Sequence, residues 1–338
     1  MKIVFLINQT HKEEATFTTT LLAYNAHNEG HTVIYIGLAD FVYVNDLHIE
    51  AHARILDHRI SLNSKEEMIE RLRKTNKQRI EMSDVDVLWL RFDPTLDMLN
   101  RPWAAAMGLQ FAQLIKRMGR MVINDPDNLI QASNKLYLED FPKSVRPKTL
   151  VTRMYSDVQQ FLKEQDDKII LKPLKGSGGK NVFMITPEEQ HNLKQTVEVI
   201  ARDGYVIAQE YLPEAAKGDI RFFLLDGKPI CLDGKYAAVQ RVQKEGEIRS
   251  NIHQGAHAQI ATLNDKTIEL VGLVADKLIQ DNMYLVGLDI VGDKIMEVNV
   301  FSPGALGLAS ELNKVDFIGY VIRHLEQKAE RFYRTQLL

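Results

Sequence analysis

Gly287-Leu-Asp-Ile-Val-Gly-Asp-Lys-Ile-Met-Glu-Val-Asn-Val300 holds the key to the chain. Two apolar runs flank Gly292-Asp293, a turn dipeptide, so the stretch reads as a β-hairpin. Asp289 falls on its first strand; Glu297 and Asn299, two apart on the second, share a face. Carboxylates inside apolar strands are costly to bury uncompensated. A divalent cation removes that cost. Two carboxylates and an amide oxygen suit magnesium, which keeps places for phosphate oxygens. The same spacing also fits three polar side chains on the wet face of an antiparallel sheet, and the hairpin alone leaves both readings open.

Working outward, the next charged residue in apolar surroundings is Lys172, at the end of Ile169-Ile-Leu-Lys. Gly176-Ser177-Gly178-Gly179 follows it. Glycines let backbone amides approach an anion, so lysine plus loop reads as a phosphate clamp; by itself the loop is equally a glycine hairpin turn. Val206-Ile-Ala-Gln-Glu-Tyr-Leu-Pro213 runs from an apolar strand into a linker that could offer backbone groups to an adenine edge and an acid to a ribose. Gly218-Asp-Ile-Arg221 puts Asp219 and Arg221 on one face of a strand. Arg241, Arg249 and Asn251 surround the polar stretch Gln243 to Glu247. Gln243 to Gln254 lacks a sustained apolar period, so it is expected to be a loop that orders on anionic ligands.

Composition sets the outer bounds. The chain has 338 residues, 45% hydrophobic and 26% charged, with a net charge of −3. That length fits two or three domains, and the charge disfavours a dedicated nucleic-acid binder. The single cysteine, Cys231, excludes an internal disulfide framework and reads as a packed apolar residue. No run approaches the ~20 apolar residues of a membrane span, and Met1 to Leu6 reads as a strand, not a signal peptide. No membrane partner and a cytoplasmic location are expected.

Along the chain, Lys2–Ile7, a helix over 16–27 and a strand over 32–36 form a β-α-β opening, which predicts a parallel sheet. Lys65 to Arg79 predicts a solvated charged helix, and Leu129 to Phe141 a helix carrying Lys135. The fold class is α/β with α+β parts: a parallel-sheet domain over 1–122, a small domain over 123–204 and a strand-rich domain over 205–338. Several activities are set aside. The first strand-to-helix turn has no glycine for a dinucleotide. Gly176 to Lys180 fails the P-loop spacing. No Gly-x-Ser-x-Gly elbow occurs. The pairs His48/His52 and His253/His257 lack the glutamate of a zincin helix.

Taken in order, these motifs resemble those of ATP-grasp carboxylate–amine ligases, and within that superfamily the chain is similar to the bacterial glutathione synthetase family. The matching segments include Asp93-Pro94, Asn134-Lys135-Leu136, Ile170-Leu-Lys-Pro-Leu174, Gly178-Gly179, Tyr211-Leu-Pro213, Gly246-Glu247, Arg249 with Asn251, Val286 to Ile290, Glu297 to Val300 and Ser302-Pro303. The resemblance implies a three-part ATP-grasp architecture. It implies ATP as cofactor, with Lys135 and Lys172 on the phosphates and Gly176, Ser177, Gly178 and Gly179 closing over them. Gln209, Glu210, Tyr211 and Leu212 would form the adenine hinge and Asp219 the ribose acid. Asp289, Glu297 and Asn299 would hold Mg2+, with Mn2+ as an alternative ion. Arg221, Arg241 and Arg249 would face the transferred phosphate and the peptide carboxylate.

The substrates so implied are γ-glutamylcysteine and glycine, and a homo-oligomer is left open. After Ser302-Pro303 the chain departs from the family pattern: Gly304-Ala-Leu-Gly307 stands where threonine and more polar residues are usual, near the acceptor site. Three readings therefore stand side by side: glutathione synthesis, ligation of another amino acid or peptide, and a non-catalytic ATP binder of the same fold.

Overall fold

The computed structural model describes residues 1–46, 48–176, 181–242 and 257–336. The proposed Ser177, Gly178, Gly179 and Arg249, and the whole loop Gln243 to Gln254 expected to order on ligands, lie outside these residues.

The first sheet contains β1 (Lys2–Ile7), β2 (Thr32–Gly37), β3 (Phe41–Asn45), β4 (His48–Leu56), β5 (Gln78–Glu81), β6 (Val87–Leu90) and β7 (Met121–Ile123). Their order is β3-β4-β2-β1-β6-β7, with β5 also on β4. The stretch β2-β1-β6-β7 is parallel, as the β-α-β opening predicts. Ile3 to Leu6 are completely buried, which is why β1 is apolar from Ile3 to Ile7 instead of alternating. Helices α1 (Thr18–Asn28), α2 (Lys65–Lys74), α3 (Ala104–Arg117) and α4 (Pro126–Gln131) belong to this part of the chain.

Two expectations are corrected here. The charged helix stops at Lys74, because Thr75 is extended, and Gln78–Glu81 pairs with β4 as a strand. β3, β4 and β5 form an antiparallel extension absent from the sequence reading. Lys135 is not in a helix over 129–141. Asn134 caps a separate 3-10 turn, Lys135–Asp140, by accepting from Leu136 N.

The middle sheet is antiparallel: β8 (Thr149–Thr152), β9 (Ile169–Pro173), β10 (Phe183–Ile185) and β11 (Val206–Glu210), in the order β10-β9-β11-β8. α5 (Tyr155–Glu164) and α6 (Leu193–Ala201) bury Val158, Leu162, Val197 and Ile200 in the same apolar cluster as β9 and β11. Since β11 pairs with β8 and β9, the middle unit taken by sheets runs on to Glu210.

The third sheet is built on β12 (Asp219–Leu225), with β13 (Lys228–Pro229) at its end. Cys231–Leu232 (β14) and Lys235–Tyr236 (β15) form a side ladder. On this edge ladder Cys231 is exposed, not packed as the sequence suggested. Ala238–Val242 (β16), His257–Ile260 (β17), Leu285–Val291 (β18) and Lys294–Asn299 (β19) complete the order β17-β16-β12-β18-β19. The predicted hairpin is β18–β19, turning at Gly292 with φ +59°. α7 (Asp265–Gln280), α8 (Leu306–Asn313) and α9 (Phe317–Gln336) follow the sheet or pack against it.

The first and third sheets share their interiors. One apolar cluster holds Val4 and Leu88 together with Phe222 and Leu288; a second holds Phe5 and Trp89 with Phe223 and Tyr284. Asn124, just after β7, joins them with polar bonds. Its side-chain oxygen accepts from Tyr284 N at 2.7 Å and its amide donates to Val300 O.

Candidate functional site

The site is assembled where the middle sheet faces the β18–β19 hairpin. Antiparallel register sets Asp289 directly opposite Glu297 and Gly287 opposite Asn299. β12 lies on the other side of β18, with Arg221 opposite Asp289. β16 lies beyond it, with Arg241 opposite Asp219. Strand pairing thus brings residues some seventy apart in sequence onto one patch, giving a ladder of alternating charge.

Arg221 binds both Asp289 oxygens, at 2.5 Å and 2.9 Å. Arg241 binds both Asp219 oxygens at 2.6 Å and reaches Asp289 at 3.0 Å. All four residues are buried. Burial alone would favour the neutral acid at Asp289; Arg221 and then Arg241 outweigh it and hold the carboxyl well below the usual range. Burial likewise opposes the Arg241 charge, and Asp289 and Asp219 more than restore it. Glycine is required at two points. A Cβ on Gly287 would meet Arg221 Cδ and Pro303 Cβ at 3.0 Å. One on Gly218, at φ +85°, would meet Arg241 O at 1.9 Å.

Across the cleft, Lys172 on β9 donates to Gln209 Oε1 at 2.8 Å, and Gln209 in turn donates to Thr149 at 3.0 Å. Desolvation, reinforced by nearby Lys135 and partly offset by Glu297, pulls the Lys172 ammonium down to about 8. Lys135 donates to Gly176 O at 2.5 Å and lies 3.3 Å from Glu297. Lys135, Gly176, Glu297 and Asn299 line one cleft with Asp93, Thr95, Asn134 and Ser302.

The remaining predicted residues sit less directly. Glu210 turns its carboxylate onto Lys148 N at 2.7 Å. The Tyr211 ring carries Lys168 Nζ 3.8 Å from its centroid. Leu212 leads into the 3-10 turn Pro213–Lys217. Of the histidine pairs set aside, His48 gathers with Glu50 and Glu81 at the far edge of the first sheet, where Glu50 is already ion-paired with Arg79. Asp93 and Thr95 from the first unit carry no role in the sequence reading. Their signal was the Asp-Pro pair directly after a buried parallel strand.

The donor set suits a hard divalent cation. Asp289, Glu297 and Asn299 offer oxygen alone. Asn299 Nδ2 points to Asp289 Oδ2 at 3.4 Å, which leaves the amide oxygen for another partner. Lys135 and Lys172 across the cleft suit a polyphosphate.

Two family models together match most of the chain. Residues 1–129 match the model of the prokaryotic glutathione synthetase N-terminal domain, and residues 134–314 that of the prokaryotic glutathione synthetase ATP-grasp domain. The glutathione synthetase of Buchnera aphidicola subsp. Schizaphis graminum is 31% identical, over 97% of this chain and 95% of its own. That of Escherichia coli O157:H7 is 28% identical, over 95% of each chain. Among solved structures, D-cycloserine synthetase DcsG has a TM-score of 0.64 at 16% identity, over 98% of this chain and 99% of its own. The ATP-grasp ligase PsnB, complexed with a minimal precursor, scores 0.60 at 15% identity, over 97% and 99%. These likenesses establish the ATP-grasp fold.

Proposed function

From the premise that the chain belongs to the prokaryotic glutathione synthetase family and is an ATP-dependent ligase using a divalent metal, we propose that it joins γ-glutamylcysteine to glycine, with Mg2+ as the metal. The observation that carries the reading is the 3.3 Å approach of Lys135 to Glu297. It brings the proposed phosphate lysine to the proposed metal acid in a single cleft. We assign three functional parts, 1–122, 123–204 and 205–338, with the middle one supplying the phosphate lysines Lys135 and Lys172 and the third the adenine hinge, the ribose acid and the metal ligands. No helix among the described residues is long and apolar enough to cross a membrane, and we place the reaction in the cytoplasm.

The chemistry starts from a carboxylate, whose charge repels nucleophiles. Transfer of the γ-phosphoryl of ATP onto a carboxylate oxygen gives an acyl phosphate; the amine then attacks its carbonyl carbon and inorganic phosphate leaves with the bonding pair. Lys135 and Lys172 would hold the phosphates. Asp289, Glu297 and Asn299 would hold the metal, which when bound neutralises charge on the transferring group. Arg221, anchored on Asp289, would stabilise the oxyanion that develops at the carbonyl. Arg241, held by Asp219 as well as Asp289, is preorganised for the same task. Gln209 orients Lys172 from behind. Arg249 keeps its proposed place toward the peptide carboxylate. No side-chain nucleophile is needed.

The test is ADP release by the full chain with ATP, Mg2+ and γ-glutamylcysteine. Release that depends on glycine is expected. A second acceptor reading rests on Gly304-Ala305-Leu306-Gly307, where Ala305 holds φ +77° just before α8. A non-glycine residue in that region is strained, so the loop is a specialised local shape. A screen of amine acceptors that finds one preferred to glycine would replace the glycine assignment; no release with any acceptor would remove γ-glutamylcysteine.

A further inference from the structure

The first sheet has two edges, and they are finished differently. At one, β7 is covered: Met121 N donates to Tyr333 Oη of α9 at 3.3 Å. At the other, β3 pairs with β4, and no other described strand lies along it. Exposed edges are normally guarded by charge or proline, because they invite another strand. β3 reads Phe41-Val-Tyr-Val-Asn45 and carries neither. All but the asparagine are good strand formers.

Register fixes which way its side chains face. Phe41 lies opposite Ala51 and Tyr43 opposite Ile49, both buried in the cluster that also holds Leu109, Ala112 and Ile115 of α3. Phe41 and Tyr43 are therefore on the side of the sheet that α3 covers. The Phe41 ring stacks on Phe111 of α3, with centroids 4.7 Å apart. Met107 and Trp103 precede Phe111 at four-residue steps, so the three form one stripe along the β3 side of the helix. Tyr43 is 51% exposed, Trp103 48% and Met107 37%. Arg101, itself held by Asp97, lies 5.9 Å from the centre of the Trp103 ring and keeps it in place.

Such a surface is out of character with its surroundings. α2 carries seven charged residues in ten, whereas Ala104 to Ile115 of α3 carry none. α1 also lacks Lys, Arg, Asp and Glu, but α8 and α9 pack on it. Leu99, 94% exposed just ahead of α3, and Met98 add to the patch. Together these side chains expose on the order of 500 Å² of apolar surface, in the upper range for the largest patch on a monomer. Two such patches face to face bury about 1,000 Å². The β3 edges and the exposed Ala106 and Gln110 bring the total into the ~1,200–2,000 Å² of a stable pair.

We propose that a second copy of this chain docks here about a two-fold axis beside β3. The β3 edges pair antiparallel into one continuous sheet, and the two α3 stripes pack over the join. Identical strands paired antiparallel are related by a two-fold, so an open edge is its own complement. The same axis turns the stripe of one α3 toward the stripe of the other, because both stripe and edge lie at one border of the sheet. A foreign strand would match the edge, and a foreign helix the stripe; the second copy matches both at once, apolar against apolar with no charge to bury. Trp103 and Met107 are the anchors of the join. The inference rests on the first sheet alone and is independent of the reaction proposed for the cleft.

Sedimentation velocity on the full chain, across micromolar concentrations, reads the mass of the assembly. Wild type is expected as an even number of chains. Met107→Glu and Tyr43→Lys each put an unpaired charge into the join and should weaken association about a hundredfold or more. The mass then halves while the circular-dichroism spectrum stays native. A wild type that is monomeric at every concentration, or wild-type mass in both folded variants, overturns the inference. If neither variant folds, cross-linking decides. On a Cys231→Ser background, Met107→Cys should give a two-chain band with a flexible bis-maleimide, and Glu66→Cys, on the exposed side of α2, should not. Equal bands from the two, or none from Met107→Cys, overturn the docking surface.

Discussion

Trp89 of the first sheet meets Tyr284 of the third edge-on, with ring centroids 5.7 Å apart, and Phe92 meets Phe301 at 5.4 Å. The buried cluster of the middle sheet, from Val158 through Leu171 to Ala208, includes no residue of either neighbour. The outer sheets are therefore one packed body, and the middle sheet is a smaller one tied to it by polar contacts such as Lys135 Nζ to Gly176 O and Lys135 N to Leu174 O. Small cores are marginal, and units with separate cores open with separate free energies. The difference assigns tasks: the charge ladder sits on the rigid body, and Lys172 sits on the part best able to move toward it.

The sharpest way to break this comparison is to cut into the shared interior. Trp89→Ala should cost about 3–5 kcal/mol and lower hydrogen-exchange protection in both β1 and β18. Protection over 149–210 should hold; an equal loss there would mean that the middle core is not separate. The reciprocal change, Leu171→Ala, should cost about 2–5 kcal/mol and act locally. Its exchange signature should stay within 149–210, and spread into β12 or β18 would count against two bodies.

Arg221→Ala tests the division of labour. It should lower turnover by about 10²–10³ while nucleotide affinity changes little, because its charge matters most as negative charge develops on the reacting carbonyl. Full turnover in the variant would remove Arg221 from the chemistry.

The smallest effect concerns Lys172, held down at about 8 by desolvation and Lys135. At pH 8 about half of these lysines are neutral in the unliganded protein, and an arriving polyphosphate favours the charged form. Nucleotide binding at pH 8 should take up to about half a proton from buffer, and close to none at pH 6. Calorimetry in buffers of different ionisation enthalpy reads this directly; zero uptake at pH 8 would place Lys172 away from the phosphates. The linkage sign follows from the same depression: between about pH 8 and the ordinary lysine value the folded chain holds fewer protons than the unfolded one, so this residue's penalty on stability shrinks as pH rises.

What could be read from the sequence were features whose physics is local. Gly292-Asp293 between apolar runs announces its hairpin, and the continuous apolar run of β1 announces a strand covered on both faces. β4 is hard to see in the sequence although its alternate residues are buried, because His48, His52 and Arg54 occupy the outward positions of an otherwise weak pattern. The apolar neighbours of Cys231 carry no sign of the two-residue edge ladder that exposes it. The spacing over 129–141 predicts one helix, but Asn134 caps a separate turn that begins at Lys135. The Asp219–Arg241 clasp depends on strand register across a long connection, and Arg91 meets Pro303 from 212 positions away. No local pattern encodes such meetings; they exist only once two sheets have packed.

The shared interior also governs how this molecule can be recombined. A foreign segment replacing 1–129 would inherit half of two apolar clusters and lose the partners of Trp89, Phe92 and Asn124 on the third sheet. Such a graft succeeds only if the matching residues around 284–325 travel with it. The unit over 149–210 brings its whole interior along. It is the natural cassette for exchange between relatives, and shuffled libraries of this family should recover crossovers on either side of it far more often than a single crossover between the outer sheets.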